Sequence, residues 1–370
     1  MILLVRILHV VTHLNRGGLE TMIMNYYRNI DRSKIQFDFL VQGNQKGAYE
    51  DEIIKLGGKI HRVKRIKYYA PWIFEGEVHK FLKQHQEYKI VHSHINAVSK
   101  YVLRAAKRAN VPNRIAHSHN IISKNSSLKN ICKNFVKIGI NKYSTKRFAC
   151  SQEAGKWLYG KGEFEVLPNA IDVDKFKYNE NKRLQYRNSL DLKEDEIVYY
   201  NVGRIVKQKN QSFLIDIFYE IQKRQKAKLV IIGDGELKDK LLSKVKKLGI
   251  EDKVIFTGVR KDINDLINAM DIFIFPSLYE GLGIVLIEAQ TNGVMSFVSD
   301  MIPNEAIITN NTKVLSLKND VNYWSDYIIK HEEVKRENHI KEIINAGYDI
   351  KESTNKLQKY YLKINSNDEV

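Results

Sequence analysis

The chain has 370 residues, 43% of them apolar, with five prolines, two cysteines and a formal net charge of +17. That length suits two domains, the composition excludes a disordered or linker-dominated chain, and no run approaches the ~20 apolar residues needed to span a bilayer. The charge is lopsided: residues 1–170 carry 29 Lys and Arg against 12 Asp and Glu, the remainder carries 31 of each, and no acid falls between Glu87 and Glu153. A field on one half only favours an anionic partner there, whether an acidic membrane surface, a lipid diphosphate or nucleic acid.

The start, Met1 to Val11, is apolar but short, broken by Arg6 and His9 and without a cleavage site, so it reads as a first buried strand and not a signal peptide. Strands are predicted at 4–11, 36–42, 59–63, 89–94, 114–117 and 147–150, with helices at 19–29, 49–56, 75–83, 97–109, 128–142 and 152–159. Strands separated by helices imply right-handed crossovers and a parallel sheet. Cys132 and Cys150 have no metal or disulfide spacing and read as reduced thiols of a cytoplasmic protein.

A polar stretch follows Pro168-Asn169, and then the alternation restarts. Strands are predicted at 197–202, 228–232, 254–257, 272–275 and 295–298, helices at 211–224, 237–248, 263–270 and 284–291, and a helical tail at 322–364. The chain therefore reads as two doubly wound α/β domains, 1–170 and 196–345, with a linker region at 171–195 and a last helix within 346–370. Ligands are expected beyond the carboxyl ends of the strands, in a cleft between two such domains.

The sharpest motif is Tyr279-Glu280-Gly281-Leu282-Gly283-Ile284-Val285-Leu286-Ile287-Glu288, directly after an apolar strand. Its glycines let the backbone approach a ligand and turn into a helix. The N–H groups of Gly283, Ile284 and Val285 would face a diphosphate, and Glu280 and Glu288 would accept hydrogen bonds from sugar hydroxyls. Gly203-Arg204 closes the first strand of the second half, and Lys209 follows, which places two cations at the mouth of that sheet to neutralise a leaving diphosphate. Gly17-Gly18, between the first strand and first helix, forms a turn suited to phosphate or substrate approach.

Two histidine pairs end first-half strands, His92/His94 and His117/His119. Members of each pair are read as pointing to opposite faces, so that each pair offers one ligand at best. With no carboxylates nearby, a metal-free role is expected. Asp172-Val173-Asp174 reads as a turn and helix cap, not a metal motif.

With these residues in place the chain resembles the retaining GT-B glycosyltransferases that carry the Glu-x7-Glu motif, the glycosyltransferase family 4-like enzymes, and among them those of capsule and exopolysaccharide assembly. The resemblance runs from His9 to about Tyr361 and rests on residues 15–21, 115–120, 167–172 and 277–289. It implies two Rossmann-like domains facing each other across a cleft, with a final helix, about Ile350 to Leu362, crossing back to the first. It implies that Arg204 and Lys209 hold the donor diphosphate, Glu280 the sugar and Glu288 the ribose. Gly258-Val259-Arg260 would meet the base through its backbone, Gly18 would lie by the phosphates, and His119 beside the reacting sugar. Ala170 stands where Gly is common, and Met295 where Pro is common.

The expected activity is metal-independent transfer, without a cofactor, from a nucleotide sugar (UDP-linked by resemblance) to a lipid-diphosphate-linked or saccharide acceptor. The expected place is the inner face of a bacterial membrane. A basic stripe of Lys129, Lys133 and Lys137 and the basic-aromatic run from His61 to Trp72 would meet an anionic surface there. Two alternatives remain, a related enzyme such as a nucleotide-sugar epimerase and a non-catalytic nucleic-acid-binding module. No helix-turn-helix, zinc or RNP-type signature favours the second, and nucleic acid is not an expected partner.

Overall fold

A computed structural model describes residues 4–67, 69–119 and 136–366. β1 (Val5–Val11) and β2 (Ile35–Gln42) are buried at almost every position, as central strands of a parallel sheet covered on both faces must be. They belong to a seven-stranded sheet with β3 (Ile60–Val63), β4 (Ile90–Ser93), β5 (Asn113–Ser118), β6 (Lys146–Ala149) and β7 (Glu165–Val166). All pairings are parallel, in the order β3-β2-β1-β4-β5-β6-β7. A second, six-stranded parallel sheet is built from β8 (Ile197–Val202), β9 (Ala227–Ile232), β10 (Val254–Gly258), β11 (Ile272–Phe275), β12 (Met295–Ser299) and β13 (Thr312–Leu315). Its order is β10-β9-β8-β11-β12-β13.

The chain divides into two compact units, Met1–Ala170 with Ile350–Val370, and Ile171–Asp349. In the first, alternate residues of a strand serve opposite faces. Leu8, Val10 and Val91 pack with Phe74, Val78, Leu82 and Val102 on one side. Ile7, Val11, Ile90 and Ile115 pack with Tyr26, Tyr27, Phe37 and Phe148 on the other. The final helix, Ile350–Ser366, lies on that second face and buries Ile350, Leu357 and Tyr361 in the same core. The core of the second unit gathers Leu229, Ile231, Ile272, Ile274 and Phe297 with Phe218 and Trp324.

Two strands were not legible in the apolar pattern, the two-residue β7 and the short β13. Residues 171–195 hold two helices, Val173–Phe176 and Glu180–Ser189. The second has one buried residue, Arg187, so no apolar stripe announces it. Arg187 reaches the carboxylate of Asp271 at 3.1 Å and the carbonyls of Ala269 and Glu196, which fastens the helix to the second unit through polar contacts.

Candidate functional site

Each sheet has a switch point where neighbouring strands lead their crossovers to opposite sides, and loops leaving there open a ligand crevice. In the second sheet the switch lies between β8 and β11. Arg204 and Lys209 follow β8, and the glutamate-glycine loop follows β11, so topology brings together residues some 70 positions apart. Lys209 Nζ sits 2.8 Å from Glu280 Oε1 and 4.8 Å from the centre of the Phe275 ring. Glu280 is only 6% exposed. The pairing accounts for this, since a carboxylate can be withdrawn from water when a cation meets it. Arg204, by contrast, is exposed and forms no ion pair among the described residues. Its carbonyl accepts a bond from Gln211 Nε2.

The loop turns into the helix Ile284–Thr291 at Gly283, whose φ of +84° favours glycine. A Cβ there would also lie 3.1 Å from the Phe275 ring. Leu286 N–H bonds to the Gly283 carbonyl at 2.8 Å. The N–H groups of Gly283, Ile284 and Val285 lie ahead of the helix's own ladder, at its positive end. Leu282 is buried and anchors the loop, so its side chain is not available to a ligand. Glu288 lies one turn further on. Desolvation pushes its carboxyl up to about 8, although the residue as a whole is partly exposed.

Two neighbouring turns complete this end of the sheet. A Cβ on Gly233 would stand 2.0 Å from the Gly203 carbonyl oxygen, so the chain passes there only as glycine. Gly233 N–H bonds to the Gly258 carbonyl at 2.9 Å. Val259, next in line, is 62% exposed, and Arg260 is paired with Asp262.

In the first unit the switch lies between β1 and β4. Gly17 caps the helix Gly18–Asn29 in extended conformation, and a Cβ on Gly18 would meet nothing within 4 Å. Nearby, His13 Nδ1 pairs with the buried Glu20 at 3.0 Å, a contact no motif had suggested. On β1, β4 and β5 or directly after them lie five buried histidines, His9, His92, His94, His117 and His119. The expectation that His92/His94 and His117/His119 diverge is wrong, because residues i and i+2 of a strand share a face. The His92 and His94 rings stack with centroids 4.2 Å apart, and the His117 and His119 rings meet at a tilt, 4.0 Å apart. His9, His92 and His94 form one close triad and His94, His117 and His119 another, with the nitrogens of each within 4.8 Å. His9 had been overlooked, although its place opposite His92 in the register joins it to the group.

Burial lowers all five histidines, His9 and His119 to about 3. The His119 main-chain N–H donates to Asn96 Oδ1 at 2.9 Å.

Of the basic stripe, Lys129 and Lys133 lie outside the described residues. Lys137 is not a free surface cation. Its Nζ donates to the Trp157 carbonyl at 2.6 Å and sits over the Trp157 ring, and burial lowers its pKa. The basic-aromatic run does reach solvent, with Tyr69, Trp72 and Ile73 exposed beside a hollow lined by Arg62, Lys64, Arg65, Lys67 and Lys80. No helix among the described residues is long and apolar enough to cross a membrane.

Residues 182–349 match the family described as "Glycosyl transferases group 1", and residues 16–175 match "Glycosyltransferase Family 4". The chain is 32% identical to the putative glycosyltransferase EpsF of Bacillus subtilis, over 96% of each chain. It is 25% identical to the capsular polysaccharide biosynthesis glycosyltransferase CapH of Staphylococcus aureus, over 97% of this chain and 99% of CapH. An Escherichia coli UDP-Gal:alpha-D-GlcNAc-diphosphoundecaprenol alpha-1,3-galactosyltransferase is 27% identical over 77% of this chain and 78% of its own. Among solved structures, Anabaena Alr3699/HepE in complex with UDP and glucose superposes with a TM-score of 0.79 at 18% identity, over 97% of this chain and 100% of that one.

Proposed function

The chain belongs to the GT-B-fold glycosyltransferases, and we propose that it is a retaining enzyme that moves a sugar from a UDP-sugar to a lipid-diphosphate-linked acceptor during assembly of a bacterial surface polysaccharide. The observation that carries this reading is the Lys209–Glu280 pair beside the positive end of the helix Ile284–Thr291. A cation, a carboxylate and N–H groups that precede the helix's own ladder, at one switch point, suit a ligand that is a diphosphate at one end and a polyol at the other.

In this reading Arg204, Lys209 and the helix N-terminus stabilise charge on the departing diphosphate. Glu280 accepts from sugar hydroxyls and Glu288 from the ribose, while Val259 and its neighbours offer backbone to the base. The oxocarbenium-like sugar is met by the acceptor hydroxyl on the face the nucleotide leaves, and the leaving phosphate takes the hydroxyl's proton. His119 steadies the reacting sugar, and no metal takes part.

The donor and acceptor classes follow what the E. coli relative's name states of that enzyme, and the polysaccharide setting follows CapH. The test is transfer from a panel of UDP-sugars to a polyprenyl-diphosphate saccharide, in EDTA, with the product anomer read by NMR. An inverted product, donor conversion without acceptor, or strict need for added Mn²⁺ would each overturn a stated part.

Contact with the inner membrane face is part of the same proposal. Exposed Tyr69, Trp72 and Ile73, with the Lys67 ammonium over the Tyr69 ring, support it as apolar anchors, and the nearby hollow is lined by five cations and one acid, Glu77. Co-sedimentation with anionic vesicles should fall as salt rises and on Trp72→Ala; equal binding to neutral vesicles would refute it.

A further inference from the structure

Three of the five buried histidines form a chain across β1, β4 and β5. His9 Nδ1 lies 2.9 Å from His94 Nε2, and His94 Nδ1 lies 2.9 Å from His119 Nε2. Both nitrogens of His94 are thereby used. The outer nitrogens, His9 Nε2 and His119 Nδ1, are buried and have no partner among the described residues. Burial holds each ring neutral.

Proton counting then restricts the chain. A neutral imidazole carries one N–H and one bare nitrogen, so three rings carry three protons. Two must occupy the two nitrogen–nitrogen contacts. The third has two places to go. If it sits on His119 Nδ1, His9 donates to His94 and His94 donates to His119. If it sits on His9 Nε2, both bonds run the other way. His94 has one proton and cannot donate in both directions.

We propose that His9 and His94 are positioning residues that set the tautomer of His119, such that a proton on His119 Nδ1 excludes one on His9 Nε2 and the reverse. A ligand oxygen that accepts at His119 Nδ1 draws the proton to that end, and a hydroxyl that donates there sends it to His9. His119 thus offers a donor or an acceptor without taking up charge. Only the catalytic meaning of this coupling rests on placing His119 beside the reacting sugar.

The full-length chain labelled with ¹⁵N-histidine reports the protonation of each ring nitrogen by NMR. The protonated fractions of His9 Nε2 and His119 Nδ1 should sum to one, with and without added UDP. In His9→Phe the far partner is lost. Two rings then share two protons, one of them in the remaining contact, so the protonated fractions of His94 Nε2 and His119 Nδ1 should now sum to one. His117→Phe is the control, because the His117 ring lies 4.0 Å from that of His119 without a hydrogen bond to it, and the sum should survive. His9→Leu serves if His9→Phe does not fold. Fractions that vary independently, in the unaltered chain or in the His9 variant, would overturn the proposal. The role of His119 in transfer is tested apart from this: an active His119→Ala enzyme would remove that role and leave the sum rule standing. If both hold, His9→Phe lowers kcat while KM for the donor stays.

Discussion

His92 Nδ1 meets the Tyr361 hydroxyl at 2.6 Å, which joins the strand β4 to the last helix at the centre of the first unit. Tyr361 is fully buried, and its ring also stands edge-on to Phe37. Tyr361→Phe keeps the packing and removes the partner of His92 Nδ1. Leaving a buried polar atom unsatisfied costs about 1–3 kcal/mol. Urea unfolding should show a loss of that size, and an unchanged midpoint would mean the bond contributes nothing.

The Lys209–Glu280 pair makes single alanine variants poor tests of catalysis. Removing one member of a largely buried pair strands the other charge, at a cost of roughly 3–5 kcal/mol. Lys209→Met and Glu280→Gln should therefore each lower the thermal midpoint, and the double variant should recover most of the loss. Transfer should stay abolished in all three. A stable and active double variant would remove both residues from the reaction.

Acid should undo the first unit early. His9, His92, His94, His117 and His119 are all held neutral by burial, with lowered pKa values, whereas in the unfolded chain they titrate near 6.5. Below that value the unfolded state binds protons the folded state refuses. Stability present at neutral pH is therefore lost as pH falls from about 6.5 toward 3, at about 1.4 kcal/mol per pH unit for each ring. Denaturant midpoints measured from pH 7.5 to 5 should drop steeply, and less steeply in His117→Phe. A flat profile would show the rings charged or hydrated in the folded chain.

Glu288 gives a dependence of the other sign. Its carboxyl is raised from 4.5 to about 8 by desolvation, so the folded chain holds a proton that the unfolded chain releases. The resulting penalty is absent below about 4.5 and grows until about 8. Glu288→Gln should stabilise the protein at pH 8 and leave it unchanged at pH 4.5. A ribose whose hydroxyls donate to Glu288 needs the ionised form, so UDP should bind more tightly as pH rises toward 8, with a proton released below it. Calorimetry in two buffers of different ionisation enthalpy reads that proton, and its absence would place the ribose elsewhere.

Much of this was open to a reader of the sequence. The apolar runs ending at Val202 and Phe275 are bounded by Gly203 and by Pro276 and the glutamate-glycine loop, and they mark where the sheet delivers its ligand groups. What could not be read depends on contacts distant in sequence. Nothing near Glu280 says that Lys209, 71 residues earlier, takes it out of water. Nothing near Lys137 points to the Trp157 carbonyl. The helix Glu180–Ser189 escaped notice because it is fixed by Arg187 and not by apolar periodicity. The histidine pairs were legible in kind but misjudged in direction, since a period of two puts His92 and His94 on one face and makes a cluster out of what looked like isolated residues.

The last helix has a consequence for how the protein is made. The second unit is one continuous stretch, Ile171–Asp349, and is fully available to fold soon after it leaves the ribosome. The first unit is completed only by Ile350 and the residues after it. Until they arrive, Tyr26, Phe37 and Phe148 lack the cover that Leu357 and Tyr361 provide. The half synthesised first is thus the half finished last. Its apolar sheet face waits through the translation of nearly 180 further residues, a window in which a chaperone or a neighbouring nascent chain can reach it first.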